Sequence, residues 1–360
     1  MTIIIFIIVL AVLVLVHEFG HFITAKWARM RVDEFGLGLP PRALTLFRKG
    51  GTDYTLNWIP FGGFVKIYGE DLESLEEGKE SEGSFAHKAK WKQALVLVAG
   101  VGFNIIFAWL LFSLGFMIGM PTSVDGQNMA HVENPAVTIT GVFPDSPAAD
   151  AGIQAGDEVV GLQTGDRVDR DVVVEDIPAF IQSSDGSVIL SVLRDGETVD
   201  IPVTPQRTGE NQTIGIRLAT LGTLTLPVHT ALIEGAATTA VLMQGVTVGI
   251  VNLIADAITG NADFSQVAGP VGIVGLVGDA SALGFVYLLS FTAFISVHLA
   301  ILNLVPFPAL DGGRLVFVLI EKLKGSPVNP RVFQWVNGIG FLFLILLMII
   351  ITFNDIARLI

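Results

Sequence analysis

The chain has 360 residues, 51% of them hydrophobic and 15% charged, with a net charge of -13 and a mean hydropathy of +0.65. That hydropathy excludes an ordinary soluble domain, and the acidic balance argues against nucleic acid, whose phosphates want a basic face. The absence of cysteine rules out disulfides, cysteine-built metal sites and thiol catalysis.

Taken in chain order, residues 1–16 form the first of four apolar blocks, and 94–120, 283–310 and 335–353 form the others. Each is close to the ~20 apolar residues that a bilayer-spanning helix needs. The expected fold is a polytopic α-helical membrane protein of about four transmembrane helices. The first block has no basic segment before it and no small-x-small site after it, so it reads as a retained helix rather than a cleaved leader. Lys26, Arg29 and Arg31 follow it directly, and Arg42, Arg48, Lys49, Lys66, Lys88, Lys90 and Lys92 extend the basic stretch. The positive-inside rule puts that stretch in the cytoplasm and the N-terminus outside. Lys322, Lys324 and Arg331 mark a second cytoplasmic loop.

The first block ends in His17-Glu18-Phe19-Gly20-His21. Residues i and i+4 of a helix share a face, so His17 and His21 can offer two imidazoles to one metal. Glu18 lies beside them and can take a proton from a metal-bound water. Zinc suits two imidazoles and a carboxylate, with a fourth position left open. The bare pattern arises by chance in soluble chains. In a membrane helix, unpartnered His and Glu cost several kcal/mol, which makes them functional candidates.

The stretch Asp53 to Tyr68, DYTLNWIPFGGFVKIY, has two strand-like runs around Pro60-Phe61-Gly62-Gly63 and reads as a β-hairpin with a glycine turn. It is apolar for a cytoplasmic loop. Two placements are open: a hairpin dipping into the protein at membrane depth, where irregular backbone must be shielded, or a small amphipathic sheet on the membrane surface. Residues 69–84 are acidic and read as a mobile cytoplasmic segment, and 85–93 as a basic interfacial lead-in to the second block.

Residues 121–225 hold sixteen Asp and Glu against five Arg, a surplus of eleven negative charges. Their length suits one soluble domain of ~100 residues, extracytoplasmic in this topology. Residues 138–162 have strand, turn, short helix, turn, strand character, and short β runs follow at 188–193 and 198–203, joined by a turn over 194–197. Residues 226–260 are mildly apolar, with Glu234, Gln244, Asn252 and Asp256 irregularly spaced. An interfacial amphipathic helix is expected there rather than a fifth span.

The third block ends in NLVPFPALDGGR, residues 303–314. Pro306 and Pro308 break helical hydrogen bonding and Gly312-Gly313 loosens the chain. Asp311 is thus presented at a break in a membrane helix, where a carboxylate can line a polar cavity. It lies toward the cytoplasmic end of its block, as His17 and His21 do of theirs, so the three could meet at one depth. A helix-capping Asp is the plainer alternative. His298 is expected to pack and hydrogen-bond, since a fourth ligand would close the open position; His87, His131 and His229 are expected at the surface.

These motifs, in this order, resemble the site-2 protease family, in its bacterial branch of regulated-intramembrane-proteolysis zinc proteases with a PDZ domain. HEFGH is similar to the family's HExxH, NLVPFPALDGGR to its NxxPxPxxDG, and WIPFGGFVKI to its membrane-associated β-hairpin. Residues 268–273, AGPVGI, resemble its GPVGI segment, and VFPDSPAADAGIQAGDEVVGL resembles a PDZ core. The resemblance implies one zinc per chain held by His17, His21 and Asp311, with Glu18 as general base and Asn303 helping to hold substrate or oxyanion. It implies that Gly62, Gly63, Phe64 and Val65 of the hairpin pair with an unwound substrate strand. Val142, Phe143 and Pro144 would form the ligand loop of the PDZ domain, a size filter or regulatory sensor open to a peptide or protein ligand. The expected partners are the lipid bilayer and single-span membrane proteins, with anti-sigma-factor-like proteins and signal-peptide remnants as candidate substrates, and the expected location is the bacterial inner membrane. The chain departs from the family at Ala99-Gly100-Val101-Gly102, where relatives usually have Ala-Gly-Pro, a change expected to touch packing more than catalysis, while Asn104 is retained. Room for only one PDZ segment also separates it from relatives with two. Two other readings stand beside this one: a catalytically silent scaffold acting through its PDZ domain, and a transporter with a midplane metal site, which would call for paired repeats and more spans.

Overall fold

The computed structural model describes residues 1–70, 83–123, 132–143, 145–184, 186–194, 196–208, 211–260 and 268–357. Most of the acidic segment expected at 69–84 therefore lies outside the described residues, as do His131, Pro144 and Asp195 of the expected turn. The chain forms two compact units, Met1–Gly115 with Val228–Ile360, and Phe116–Pro227.

The first unit opens with helix α1 (Thr2–Trp27). Its Ile- and Val-rich sequence has modest intrinsic helix propensity, but in lipid only a helix satisfies every backbone group within the segment. Its buried residues Val9, Leu13, His17, His21 and Ala25 recur every fourth position, so one stripe faces the protein. The helix stops at Ala28, followed by Arg29 in the left-handed region at φ 56°. Helix α2 (Lys90–Ile118) packs closely on it: a Cβ on Gly20 would sit 2.5 Å from the Ala99 carbonyl oxygen.

Between the two helices lie strands β1 (Val32–Lys49) and β2 (Thr52–Ile67), joined by a tight turn at Gly50 and Gly51, both at positive φ. This corrects the hairpin expected from the sequence. The two runs on either side of Pro60–Gly63 do not pair with each other. Both flank β1: Phe35 pairs with Tyr54 and with Val65, and Gly36 with Thr55 and with Phe64. The physical reason is that β1, with Pro40-Pro41 in its middle, offers few sequence signals of a strand. Glu34 is fixed within this sheet. Burial works to raise its pKa, but hydrogen bonds from Arg42 and Thr55 outweigh that and hold the carboxyl below its ordinary range.

The second unit is β-rich. Strands β3 (Met120–Ser123), β4 (Val132–Val142), β5 (Glu158–Thr164), β6 (Arg167–Asp169), β7 (Val188–Arg194), β8 (Glu197–Val203) and β11 (Ile216–Leu224) form one seven-stranded sheet. Its order is β3-β11-β4-β5-β7-β8, with β6 on β5. Strands β9 (Gln206–Thr208) and β10 (Asn211–Thr213) pair separately. Alternating apolar positions supply the core, and Ile139, Leu162, Ile177, Phe180, Leu190 and Ile214 are each at most 2% exposed. Helix α3 (Pro147–Asp150) starts at Ser146, whose hydroxyl accepts from the Ala149 N–H at 3.3 Å. Helix α4 (Asp176–Gln182) contributes Ile177 and Phe180 to the core. Buried Asp157 is satisfied by Arg194 at 2.6 Å.

The chain then returns to the first unit with α5 (Val228–Thr259), α6 (Pro270–Ala282), α7 (Phe285–Leu304), α8 (Asp311–Lys324) and α9 (Pro330–Ala357). Residues 228–259 thus form one continuous helix, and among the described residues five helices, not four, are long and apolar enough to cross a membrane. The scattered polar residues of α5 hide its length from a search for uniform apolar blocks. The start of α5 lies against α2, where Trp109 donates to the Leu232 carbonyl at 2.8 Å and Gly235 abuts Ser113. The N-terminus of α6 is held by buried Asp355 of α9, which accepts from the Gly269 and Gly272 N–H groups at 3.2 and 2.8 Å.

Candidate metal centre

The stripe of α1 that faces the protein carries His17 and His21 one turn apart, both buried. Their Nε2 atoms lie 3.1 Å from each other. Asp311 comes from the far end of the chain. Its Oδ2 lies 3.0 Å from His17 Nε2 and 3.3 Å from His21 Nε2. Among the described residues these three form a group able to hold a metal, with ligand atoms within 4.8 Å of one another. The donor set fits zinc: two imidazole nitrogens and one carboxylate oxygen, with room for a fourth partner.

The local sequence explains how Asp311 reaches this point. Helix α7 ends at Leu304, and the chain through Pro306 and Pro308 cannot continue it. Ala309 adopts φ 73°, a left-handed conformation unfavourable for a residue with a Cβ, and its N–H is taken by Asn337 of α9 at 3.1 Å. Leu310 caps α8, so Asp311 is that helix's first residue, where a carboxylate also meets the positive end of the helix dipole. Gly312 and Gly313 are required by close approach. A Cβ at either would fall 2.3 or 2.2 Å from the carbonyl oxygens of Leu304 and Phe307.

The three residues border a cavity of about 520 Å³, which Glu18, Asn303, Phe64 and Val65 also line. The backbone N–H of Val65 faces the Glu18 carboxylate. Gly63 comes within ordinary contact of the Glu18 side chain, and Gly62 packs on Val14 of α1. Of the four hairpin residues expected to pair with a substrate, Gly63, Phe64 and Val65 lie around Glu18 or on the same cavity, and Gly62 lies one step away against Val14. His298 is not part of the group. Its Nδ1 lies 2.9 Å from the Phe294 carbonyl and its ring packs on Phe294. His87 and His229 are exposed. In the β-rich unit, Val142 ends β4 and Phe143 follows, its N–H donating to the Gly215 carbonyl at 2.9 Å and its exposed ring under the Arg217 guanidinium.

Two residues of α2, Gly100 and Asn104, also lie at the centre, although the sequence assigns neither of them a role toward the metal. Gly100 lies directly over the histidines: a Cβ there would sit 2.4 Å from His21 Nε2 and 2.8 Å from His17 Cε1. The departure from the family pattern falls at Val101, and the shared Gly100 leaves open the space above the two imidazoles. Asn104, fully buried, places its Nδ2 3.2 Å from His17 Nδ1.

A family model described as Peptidase family M50 matches residues 5–347. The chain is 31% identical to a protein of Brucella suis biovar 1 over 98% of this chain and 94% of the relative. It is 32% identical to one of Agrobacterium fabrum over 99% and 95%, and 29% identical to one of Staphylococcus aureus (strain COL) over 99% and 98%. All three carry the provisional name of zinc metalloprotease. With its long apolar helices, the chain takes its place among multi-pass membrane proteins.

Proposed function

The chain belongs to peptidase family M50, the site-2 protease family, and on that footing we propose that it is an intramembrane zinc metalloendopeptidase, hydrolysing peptide bonds within or beside the transmembrane segments of other membrane proteins. The observation that carries this reading is the convergence of His17, His21 and Asp311 at the wall of a cavity that Glu18 shares, with both histidines and Glu18 on a helix of bilayer-spanning length. Zinc, when bound, supplies Lewis acidity that polarises a carbonyl and makes water a better nucleophile at neutral pH. Glu18 acts as general base. It takes a proton from the attacking water as the oxygen bonds to the carbonyl carbon, and gives that proton to the nitrogen as the C–N bond breaks. Asn303, on the same cavity, holds the substrate carbonyl or the developing oxyanion.

A transmembrane substrate reaches such a site only after its helix is opened, which frees backbone groups that lipid cannot satisfy. The edge of β2 at Gly62, Gly63, Phe64 and Val65 takes the opened segment as an added strand, beside the base. The basic residues after α1, at the end of α8 and at the start of α9 support a bacterial inner-membrane topology with the centre toward the cytoplasm. The β-rich unit is then an extracytoplasmic PDZ domain, with Val142, Phe143 and Pro144 as its ligand loop and a size-filtering or sensing role. Single-span proteins, of the anti-sigma-factor or signal-peptide-remnant kind, are the substrates this reading favours.

The test is paired, on detergent-purified protein: zinc per chain and cleavage of a single-span model substrate, for wild type and Glu18→Gln. About one zinc in both, with the cleavage rate of the variant lower by ~10²–10⁴, supports the reading. No zinc in the wild type removes it, and undiminished cleavage by the variant removes Glu18 from its role.

A further inference from the structure

The two histidines are steadied in different ways. A neutral imidazole carries one proton, so a ring that gives Nε2 to a metal must keep its proton on Nδ1. His21 is fixed in that form by the main chain: its Nδ1 lies 2.8 Å from the Val96 carbonyl oxygen, which can only accept. His17 has no such carbonyl. Its Nε2 points to Asp311 and His21, and the atom facing its Nδ1, at 3.2 Å, is the Nδ2 of Asn104, which can only donate. Two N–H groups would then oppose each other whenever His17 served as a ligand through Nε2.

The Asn104 amide is not locked against correcting this. Its Oδ1 is buried and has no hydrogen-bond partner. A half-turn of the amide exchanges oxygen and nitrogen at nearly constant shape. In either orientation one end of the group is short of a partner, so the state of His17 Nδ1 decides between them. The residue itself is held firmly, because its own backbone carbonyl accepts from Ser296 of α7 at 2.9 Å.

We propose that Asn104 is a positioning residue that sets the tautomer of His17, turning its amide so that Oδ1 accepts the Nδ1–H and leaves Nε2 free for the metal. The inference rests on the metal reading of the site and adds the residue that makes His17 competent as a ligand. Partners of ligand histidines in other sites tune metal affinity by ~10–100-fold.

Zinc affinity of the full chain in detergent, measured by competition with a chelator for wild type, Asn104→Asp and Asn104→Leu, tests it, together with the His17 ring-nitrogen shifts of 15N-histidine-labelled, zinc-loaded protein. The carboxylate of the Asp variant can only accept, so Asn104→Asp keeps wild-type affinity or tightens it, with the proton on His17 Nδ1. Asn104→Leu loses ~10–100-fold. A merely structural amide gives the opposite order, since a buried carboxylate disrupts packing more than a leucine does. Weakened zinc binding in Asn104→Asp, or a His17 proton on Nε2 in the zinc-loaded wild type, overturns the proposal, and the Asp variant alone decides if the Leu variant does not fold. Absence of zinc from the wild type would instead defeat the metal reading, which separates the two failures.

Discussion

In the β-rich unit the side chains shut away from the surface include Ile139, Leu162, Phe180 and Leu190. In the helical unit they include His17, His21, Asn104, Ser113 and Ser296, while Ile4, Val12, Leu342 and Leu346 point outward. Water drives the first arrangement, because each buried apolar side chain gains transfer free energy. A lipid tail is as apolar as leucine, so that drive is absent between membrane helices, and close contacts and polar partners hold them instead. The closest approaches follow suit: Gly20 to Ala99, Gly100 to the histidines and Gly235 to Ser113 all need the absence of a side chain. Buried polar side chains and close backbone approaches within the helical unit therefore mark a site or a helix crossing, beside an apolar cluster around Met30, Val32, Ile67 and Phe85.

Three substitutions can break or sharpen this contrast. Phe180→Ala should lower the stability of the β-rich unit by about 3–5 kcal/mol, the usual cost of emptying an aromatic from a packed core. Chemical denaturation followed by a probe in that unit checks it, and zinc content should stay at the wild-type level. Gly100→Ala adds a single methyl group, harmless on most helices, yet here it should weaken zinc at least ~100-fold, about 2.7 kcal/mol. Chelator competition measures it, and unchanged affinity would show that the helices shift freely at this crossing. Leu346→Ala, on a half-exposed position of α9, should change stability by less than ~0.5 kcal/mol. A loss comparable to that of Phe180→Ala would mean that α9 packs against a partner on that face.

The sequence made some of this legible and hid the rest for identifiable reasons. His17 and His21 follow from helical periodicity, and Asp311 from the proline break that presents it, so the ligand set could be read locally and then joined by resemblance. The pairing of β1 with both halves of β2 could not, because a strand interrupted by Pro40-Pro41 carries little strand signal and the two runs beside Pro60–Gly63 looked like each other's natural partners. The interfacial helix expected at 226–260 is a helix of 32 residues, and its length was hard to read because Glu234, Gln244, Asn252 and Asp256 break its apolar run without breaking its helix. Gly100 and Asn104 matter only through where α2 crosses α1, and nothing local to either helix specifies that crossing.

The separation between His17 and Asp311, 294 positions along the chain, also bears on the order in which the protein comes into being. A polypeptide is made and inserted from its N-terminus, so the two imidazoles enter the membrane while most of the chain has yet to be translated. Until residue 311 emerges and the proline break folds back, the nascent protein holds two of the three candidate ligands beside Glu18 and cannot assemble the centre. The centre can therefore close only once residue 311 of the 360 has been made.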